Sequence, residues 1–282
     1  MQQTLLDIDL RTLNLKHPPL FNKDDHSKYV NDWRGQYKGQ AAAILKPINT
    51  KEVSSILLFA HENNIHVVPQ GGNTSLCGAA TPDDSGRSII ISLEKMNNIR
   101  QFNKAAQTIT VESGMVLSQI HEIVENENLF FPLSLGAKGS CMIGGNLSTN
   151  AGGVNVLKYG NTRELCLGLE VVLPDGKIMN LLSELKKDNT GYDLKNIFIG
   201  AEGTLGIITA ATLKLFQLPK MISTLFVEAD KIHDKKPPRI SLADVKKGVN
   251  YAIILNTSAG LWGYNIGDTI EFVNLNPYRI VV

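Results

Sequence analysis

The 282-residue sequence predicts an α+β fold of two lobes followed by a short β-rich C-terminal tail. Three observations carry this prediction. Segments with apolar residues at helical spacing alternate with short strand-like runs. Three glycine-rich loops sit at the ends of such runs. Beyond about residue 240 the helical spacing disappears and only strand-like runs remain. The boundaries this implies are an N-terminal extension over 1–32, lobes over about 33–92 and 93–226, a junction over 227–240 and a tail over 241–282.

Taken in order, Asn49 or Thr50 can cap a helix with Glu52 in its first turn, and Val53, Ile56, Leu57 and Ala60 then share one face. The run IHVVP predicts a strand ending at Pro69, and RSIIISL, from Arg87, a second. ITVES predicts a strand ending at Ser113. A helix over Leu117–Glu127 turns Leu117, Ile120 and Val124 inward, and FFPLSL from Phe130 reads as extended. CLGLEVVL and KIMNLL flank the turn PDG at Pro174–Gly176, and AATLKLF alternates as a half-buried strand does. His61, His66 and His121 have no clustered partner and are expected at the surface or at helix ends. In the tail, VNYAIIL and TIEFV predict strands, with NTSAG and NIGD as turns.

The chemistry is concentrated in the glycine loops. PLSLGAKGSCMIGGNLSTNAGG, Pro132 to Gly153, is too rich in glycine for an ordinary core element. Glycine reaches φ > 0 and lets a backbone approach a bound group closely, and Ser134, Ser140, Asn146, Ser148, Thr149 and Asn150 add polar atoms without bulk. Gly145 is expected to lie directly against the ligand, with φ > 0. Such a surface suits a pyrophosphate and a flat ring. VVPQGGNTSLCG (Val67–Gly78) and IGAEGTLGIIT (Ile199–Thr209) are of the same kind. In the first, the successive N–H groups of Gly71, Gly72, Asn73 and Thr74 can form an anion-binding nest. One glycine loop alone reads equally well as a turn; three imply one large, extended ligand. Lys138, the charged side chain of the central run, can neutralise a pyrophosphate or remain a solvated loop lysine.

Other nucleotide-binding patterns are excluded. Neither a G-x-G-x-x-G opening a helix nor a G-x-x-x-x-G-K-[ST] run is present. With 28 Lys plus Arg against 27 Asp plus Glu, a net charge of +1 gives no electrostatic case for nucleic acid. The longest apolar runs are far short of a transmembrane segment. The N-terminus has no secretory apolar region and carries Asp7 and Asp9, so cytoplasm is the expected compartment. The three cysteines have no metal-ligand spacing and no disulfide pattern.

The motifs PQGGNTS, PLSLGAKGSCMIGGNLSTNAGG, LEVVLPDGK and KKDNTGYDLKNIFIGAEGTLGIIT give the stretch from Trp33 to Phe226 its resemblance to the FAD-binding domain of the PCMH (vanillyl-alcohol oxidase) type. Within that type it is most similar to the D-2-hydroxyglutarate, D-lactate and glycolate dehydrogenases. The resemblance implies FAD as cofactor. Its contacts would come from Pro69, Gly71, Gly72, Asn73, Thr74 and Ser75 in the first loop. In the central loop they would be Leu135, Gly136, Ala137, Gly139, Ser140, Gly144, Gly145, Asn146, Thr149, Asn150, Gly152 and Gly153. Glu202, Gly203, Gly206, Ile207 and Ile208 would complete the site. Asn73 stands where some relatives carry a covalently linked His, so noncovalent FAD is implied. Neither Cys77 nor Cys141 matches a second covalent position, and both are expected as small buried hydrophobes. The resemblance further implies a small 2-hydroxyacid substrate, hydride transfer to flavin, and an electron acceptor it does not identify. In NTGYDLK, Tyr192 is expected to pack under the cradle and Asp193 to cap a short helix. No residue reads as a general base, and no metal ligand is expected.

The family's substrate- and metal-binding cap domain follows the flavin domain. Here the resemblance stops near Phe226 to Asp230, and the cap is expected to be absent. The sequence after KIHDKKPPR is instead similar to a β-rich piece of acyl-adenylating enzymes of the auxin–amino acid synthetase kind, through Thr257, Gly260, Leu261, Tyr264, Gly267 and Asp268. A fusion of two truncated reading frames near Asp230 would produce this order. Three functional expectations follow: an FAD-dependent D-2-hydroxyacid dehydrogenase, a flavin-binding fragment without turnover, and an adenylating or interaction module carried by the tail.

Overall fold

The computed structural model describes residues 10–220, 222–228, 238–257 and 264–281, which group into two units. The first comprises residues up to 153 together with 160–216; the second comprises 154–159 and the residues from 217 onward. Most of the expected junction, and Gly260 and Leu261 of the tail motif, lie outside the described residues.

The first unit opens with a short helix α1 (Ser27–Val30), strand β1 (Ala41–Leu45), helix α2 (Thr50–Glu62), strand β2 (His66–Gln70) and strand β3 (Ser88–Ser92). These strands form a parallel sheet in the order β1-β3-β2, with His66 opposite Ser88 and Gln70 opposite Ser92. Helix α2 starts where the sequence places it: Asn49 Oδ1 accepts from Glu52 N at 2.9 Å, satisfying one free donor of the first turn. Its buried face is Val53, Ile56, Leu57 and Ala60. Strand β3 is buried along its whole length, as a central parallel strand must be when both faces are covered. One face meets Val53, Ile56 and Ala60, and the other meets Tyr29 and Ile44.

Strand β4 (Ile99–Asn103), β5 (Thr108–Glu112), helix α3 (Leu117–Glu125), β6 (Leu129–Phe130) and helix α4 (Ile143–Ser148) follow. After the short helices α5 (Val156–Tyr159) and α6 (Thr162–Leu165) come β7 (Cys166–Val172), β8 (Ile178–Leu181), α7 (Lys195–Phe198), β9 (Ile207–Lys214) and β10 (Phe216–Gln217). The five longer strands here form a sheet in the order β4-β5-β9-β7-β8, each neighbour antiparallel. The two sheets share one core, in which Val172 and Ile207 pack with Leu45, Val53 and Ile91. FFPLSL is strand only at its first residue. Pro132 has no N–H to give a ladder, and the chain continues extended with Phe131 and Leu133 buried, to a bridge between Ser134 and Gly153.

A buried polar cluster ties α2 to the antiparallel sheet. Glu170, 8% exposed, accepts from Thr50 Oγ1 at 2.5 Å, Thr209 Oγ1 at 2.8 Å and Arg100 Nη1 at 2.8 Å. Arg100 Nη2 also donates to Thr50 Oγ1, and its Nε lies 3.4 Å from Glu112. Glu112 in turn accepts from Asn98 N and Nδ2.

In the second unit, β11 (Ile222–Glu228), β12 (Asn250–Thr257), β13 (Tyr264–Leu275) and β14 (Tyr278–Val281) form an antiparallel sheet in that order. Val245, Tyr251, Ile270 and Phe272 make its core, with the Tyr251 and Phe272 rings edge to face at 6.0 Å. NIGD, expected as a turn, lies inside β13, because Asn265 pairs with Ile254 and prolongs the ladder. No helix among the described residues is long and apolar enough to cross a membrane.

Candidate functional site

The site lies in the first unit, at the carboxyl end of the parallel sheet, where open α/β sheets place their ligands. Strand β2 ends at Gln70, whose buried side chain donates to Tyr29 O and Ala80 O, each at 2.8 Å, and so pins both ends of the first glycine loop. Gly72 is required by contact: a Cβ there would stand 2.1 Å from Ser140 O. Asn73 is left-handed, φ 51°, and its side-chain amide donates to Asn31 O at 2.8 Å.

The central loop carries α4 across the site. Gly144 N donates to Ser113 O, and a Cβ at Gly144 would meet Ser113 Cβ at 2.6 Å, so that end of the helix can press onto Ser113, just past β5, only as glycine. Gly145 is different. It is helical, not left-handed, and nothing lies within 4 Å of where its Cβ would be. Its open face lies on the cavity, and the expectation of positive φ there is corrected because the residue is the third of a regular helical turn. Asn146, one residue on, is 6% exposed, and its Oδ1 has no hydrogen-bond partner among the described residues.

The third loop is laced to α4 through backbone bonds, Gly200 N to Leu147 O at 3.0 Å and Glu202 N to Ser148 O at 2.9 Å. Glu202 and Gly203 are both left-handed, and Gly203 lies against the Pro69 ring, 2.5 Å from where its Cβ would stand. Arg163 reinforces the turn: its guanidinium donates to Asn196 O and Ile199 O, and its N–H to Asn150 Oδ1.

Together the loops enclose a cavity of about 570 Å³. Of the residues expected to touch the cofactor, Pro69, Gly71–Ser75, Leu135–Ala137, Gly144–Asn146, Thr149, Glu202, Gly203 and Gly206–Ile208 line it. Gly139, Ser140, Asn150, Gly152 and Gly153 do not. Ser140 backs the first loop through its carbonyl, Asn150 is turned to Arg163, and Gly153 is bridged to Ser134. Residues the sequence reading passed over also line the cavity, among them Gln70, Leu76, Leu93 and Met142, as do Cys77 and Cys141, which it placed in or beside the cradle. Leu93 follows the end of β3 and Gln70 ends β2, so the ends of parallel strands were the signal that could have found them.

Several expectations are corrected. Tyr192 does not pack under the cradle; it is 93% exposed, because its segment runs over the surface. Asp193 does not cap α7, which starts after Leu194; its carboxylate accepts from Asn196 Nδ2 at 2.9 Å and pairs with Lys195. Lys138 is exposed and off the cavity wall. Cys77 is exposed on the wall, while Cys141 is buried there, where desolvation pushes its thiol up. His121 is half-buried, its Nε2 2.9 Å from Leu133 O, and burial lowers its pKa below the ordinary histidine range. No cluster of three or more potential metal ligands occurs among the described residues.

Glu202 is the one charged side chain among the described wall residues, and none is Lys, Arg or His. An anion here would therefore be held by N–H groups and not by a cation. The wall has an apolar side (Leu93, Leu135, Met142, Ile207, Ile208), a flat opening at Gly145 and an unanswered acceptor on Asn146. These features fit the ring, the phosphates and the donor groups of a flavin dinucleotide.

Comparison with known proteins agrees with that chemistry. The FAD binding domain family matches residues 41–182, and the GH3 family central domain matches residues 216–281. D-2-hydroxyglutarate dehydrogenase, mitochondrial, of Bos taurus is 46% identical over 196 residues, 70% of this chain and 36% of that protein. D-2-hydroxyglutarate–pyruvate transhydrogenase of Saccharomyces cerevisiae is 41% identical over 203 residues, 72% of this chain and 40% of that protein. This chain thus spans well under half the length of these curated relatives. In fold it is similar to the crystal structure of 6-hydroxy-D-nicotine oxidase from Arthrobacter nicotinovorans, with a TM-score of 0.65 and 21% identity over 76% of this chain and 45% of that one.

Proposed function

The chain belongs to the FAD binding domain family, and from that premise we propose that it is the flavin-binding part of an FAD-dependent D-2-hydroxyacid dehydrogenase. The observation that carries the reading is the cavity in which three separate glycine loops converge around the open face of Gly145. In this proposal the nest at Gly71–Ser75 faces the pyrophosphate, and α4 and the strand start at Ile207 and Ile208 flank the ring and ribityl chain. FAD, when bound, supplies the acceptor for the hydride of the substrate α-carbon. The chain's own residues orient the cofactor and keep water from its buried side. Asn73 is committed to Asn31 O, which supports a noncovalent cofactor.

A D-2-hydroxyacid as substrate is supported by the names of the relatives; the electron acceptor is left open. A second reading, FAD binding with little turnover, is favoured by the wall itself, since a carboxylate substrate would find no cationic side chain among the described residues there. For the tail, the match over residues 216–281 supports reading β11 to β14 as a piece of a GH3-type central domain, not as an adenylating enzyme in its own right. The visible spectrum of the purified chain tests the cofactor on which both readings rest. Bands of a bound flavin near stoichiometric loading support it, and a chain that takes up no FAD on reconstitution would overturn it.

A further inference from the structure

We propose that the short hairpin Asn31–Lys38, which precedes the residues matched by the FAD family, is a brace that holds the loop Gln70–Ala80 in its ligand-ready shape, with Arg34 and Tyr37 as positioning residues. The ligand is that of the proposed function above; the brace itself rests on geometry alone.

The hairpin is small and well tied. Asn31 and Lys38 bridge antiparallel, Asp32 N donates to Tyr37 O at 3.0 Å, and Asp32 Oδ1 accepts from Tyr37 N at 2.8 Å. Gly35, left-handed at φ 68°, makes its turn. Arg34 Nε lies 3.5 Å from Asp32 Oδ2, which aims the guanidinium.

From this hairpin, contacts reach the loop at regular intervals. Asn31 O receives the Asn73 side-chain amide at 2.8 Å. Arg34 Nη2 donates to Leu76 O. The Tyr37 ring lies under Gly78, so close that a Cβ there would be 2.7 Å from the ring. Just before the hairpin, Tyr29 O takes the Gln70 amide at 2.8 Å. Between these tethers stand Gly71, Gly72, Thr74 and Ser75, which line the cavity. Neither Arg34 nor Tyr37 lines it.

The physical need is clear from Asn73. Its left-handed conformation is one that Asn tolerates better than most side chains, and the bond to Asn31 O favours it over the alternatives. A loop of this composition without tethers would sample many shapes. The apparent affinity for a ligand falls by the fraction of time the competent shape is populated. Preorganisation from outside the cavity removes that loss.

The test uses the full chain with Arg34→Ala and, separately, Tyr37→Leu. Amide hydrogen exchange of peptides covering residues 70–80 is followed without cofactor, and FAD affinity is measured by titration. FAD affinity is expected to weaken by about tenfold, as for a competent population reduced to a tenth, and exchange in the loop, which tracks the open fraction, to quicken by at least about tenfold. Arg34→Lys, which can still donate to Leu76 O, should restore much of both, and it also serves if Arg34→Ala fails to fold. Unchanged exchange in folded variants would overturn the brace. Faster exchange with unchanged FAD affinity would overturn the positioning role. If the unaltered chain takes no FAD, the cofactor reading fails on its own, and the exchange measurement still decides the brace.

Discussion

Arg100 Nη1 lies 2.8 Å from Glu170 Oε1, and the pair joins a surface strand to a carboxylate in the middle of the antiparallel sheet. Burial pushes the Glu170 carboxyl up, but hydrogen bonds from Thr50, Thr209 and Arg100, with the Arg100 charge, outweigh it and leave the pKa below the ordinary range. A carboxylate held low contributes stability that is present above its unfolded pKa and fades as pH falls through the folded one. Arg100→Met strips the cation from a buried anion and is expected to destabilise the first unit by about 3 kcal/mol at pH 7. The deficit should shrink at an acidic pH, where Glu170 takes up a proton. Urea unfolding at the two pH values tests this, and equal deficits at both would refute it.

Gly145→Val is expected to lower FAD affinity by at least about tenfold, roughly 1.4 kcal/mol. The branched side chain enters the open face, where its Cβ would have nothing of the protein within 4 Å, so the melting temperature without cofactor should hold. Weakened binding with a lowered melting temperature would mean that the substitution acts on the fold instead.

Gly72→Ala should behave in the opposite manner. Its Cβ would strike Ser140 O at 2.1 Å, a backbone atom that cannot swing aside. Both stability and FAD binding are expected to fall, stability by about 1–3 kcal/mol as for overpacking. Thermal melts with and without FAD separate the two glycines, and a neutral Gly72→Ala would show that the first and central loops are not in contact.

The cofactor should leave with acid. With Asn73 bonded to Asn31 O, precipitation in acid is expected to release the yellow flavin to the supernatant. Flavin retained in the washed pellet would mean a covalent link through some other residue.

Reduction by substrate should be slow in this chain. Holding a reactant in near-attack geometry can be worth about 7 kcal/mol or more of a barrier, and the described wall offers a hydroxyacid carboxylate no cation. Anaerobic mixing of the FAD-loaded chain with D-2-hydroxyglutarate, D-lactate or glycolate should bleach the flavin band over minutes or longer. Bleaching within seconds would mean that the substrate site is complete.

The sequence revealed most where one local signal decided the matter. Asn49 and Glu52 marked the start of α2, the spacing of Leu117, Ile120 and Val124 marked α3, and glycine density marked the three loops. It misled where tertiary contacts decided. Tyr192 looked like packing material but has no surface to pack on, and NIGD has turn composition but is pulled into β13 by its partner strand. Gln70 and Leu93 gave no composition signal at all; only the pairing of β2 with β3 places them at the cavity. The brace on the first loop was equally hidden, since it joins residues some forty positions apart through side-chain bonds to carbonyls.

Strand β11 pairs with β12 through seven consecutive residues, Ile222 opposite Thr257 to Glu228 opposite Tyr251. The motif resemblance was expected to run to Phe226, yet the hydrogen bonds of β11 belong to the sheet that follows, and the GH3 match begins at residue 216. A protease or an engineer choosing where to divide the molecule thus faces two different answers. A break near residue 230, where the resemblance was expected to end, would strip β11 of its neighbour and leave a bare strand edge, a template for aggregation. A break after Lys220 would leave the cavity-bearing unit without that liability, so shortened chains ending there should be the better behaved in solution.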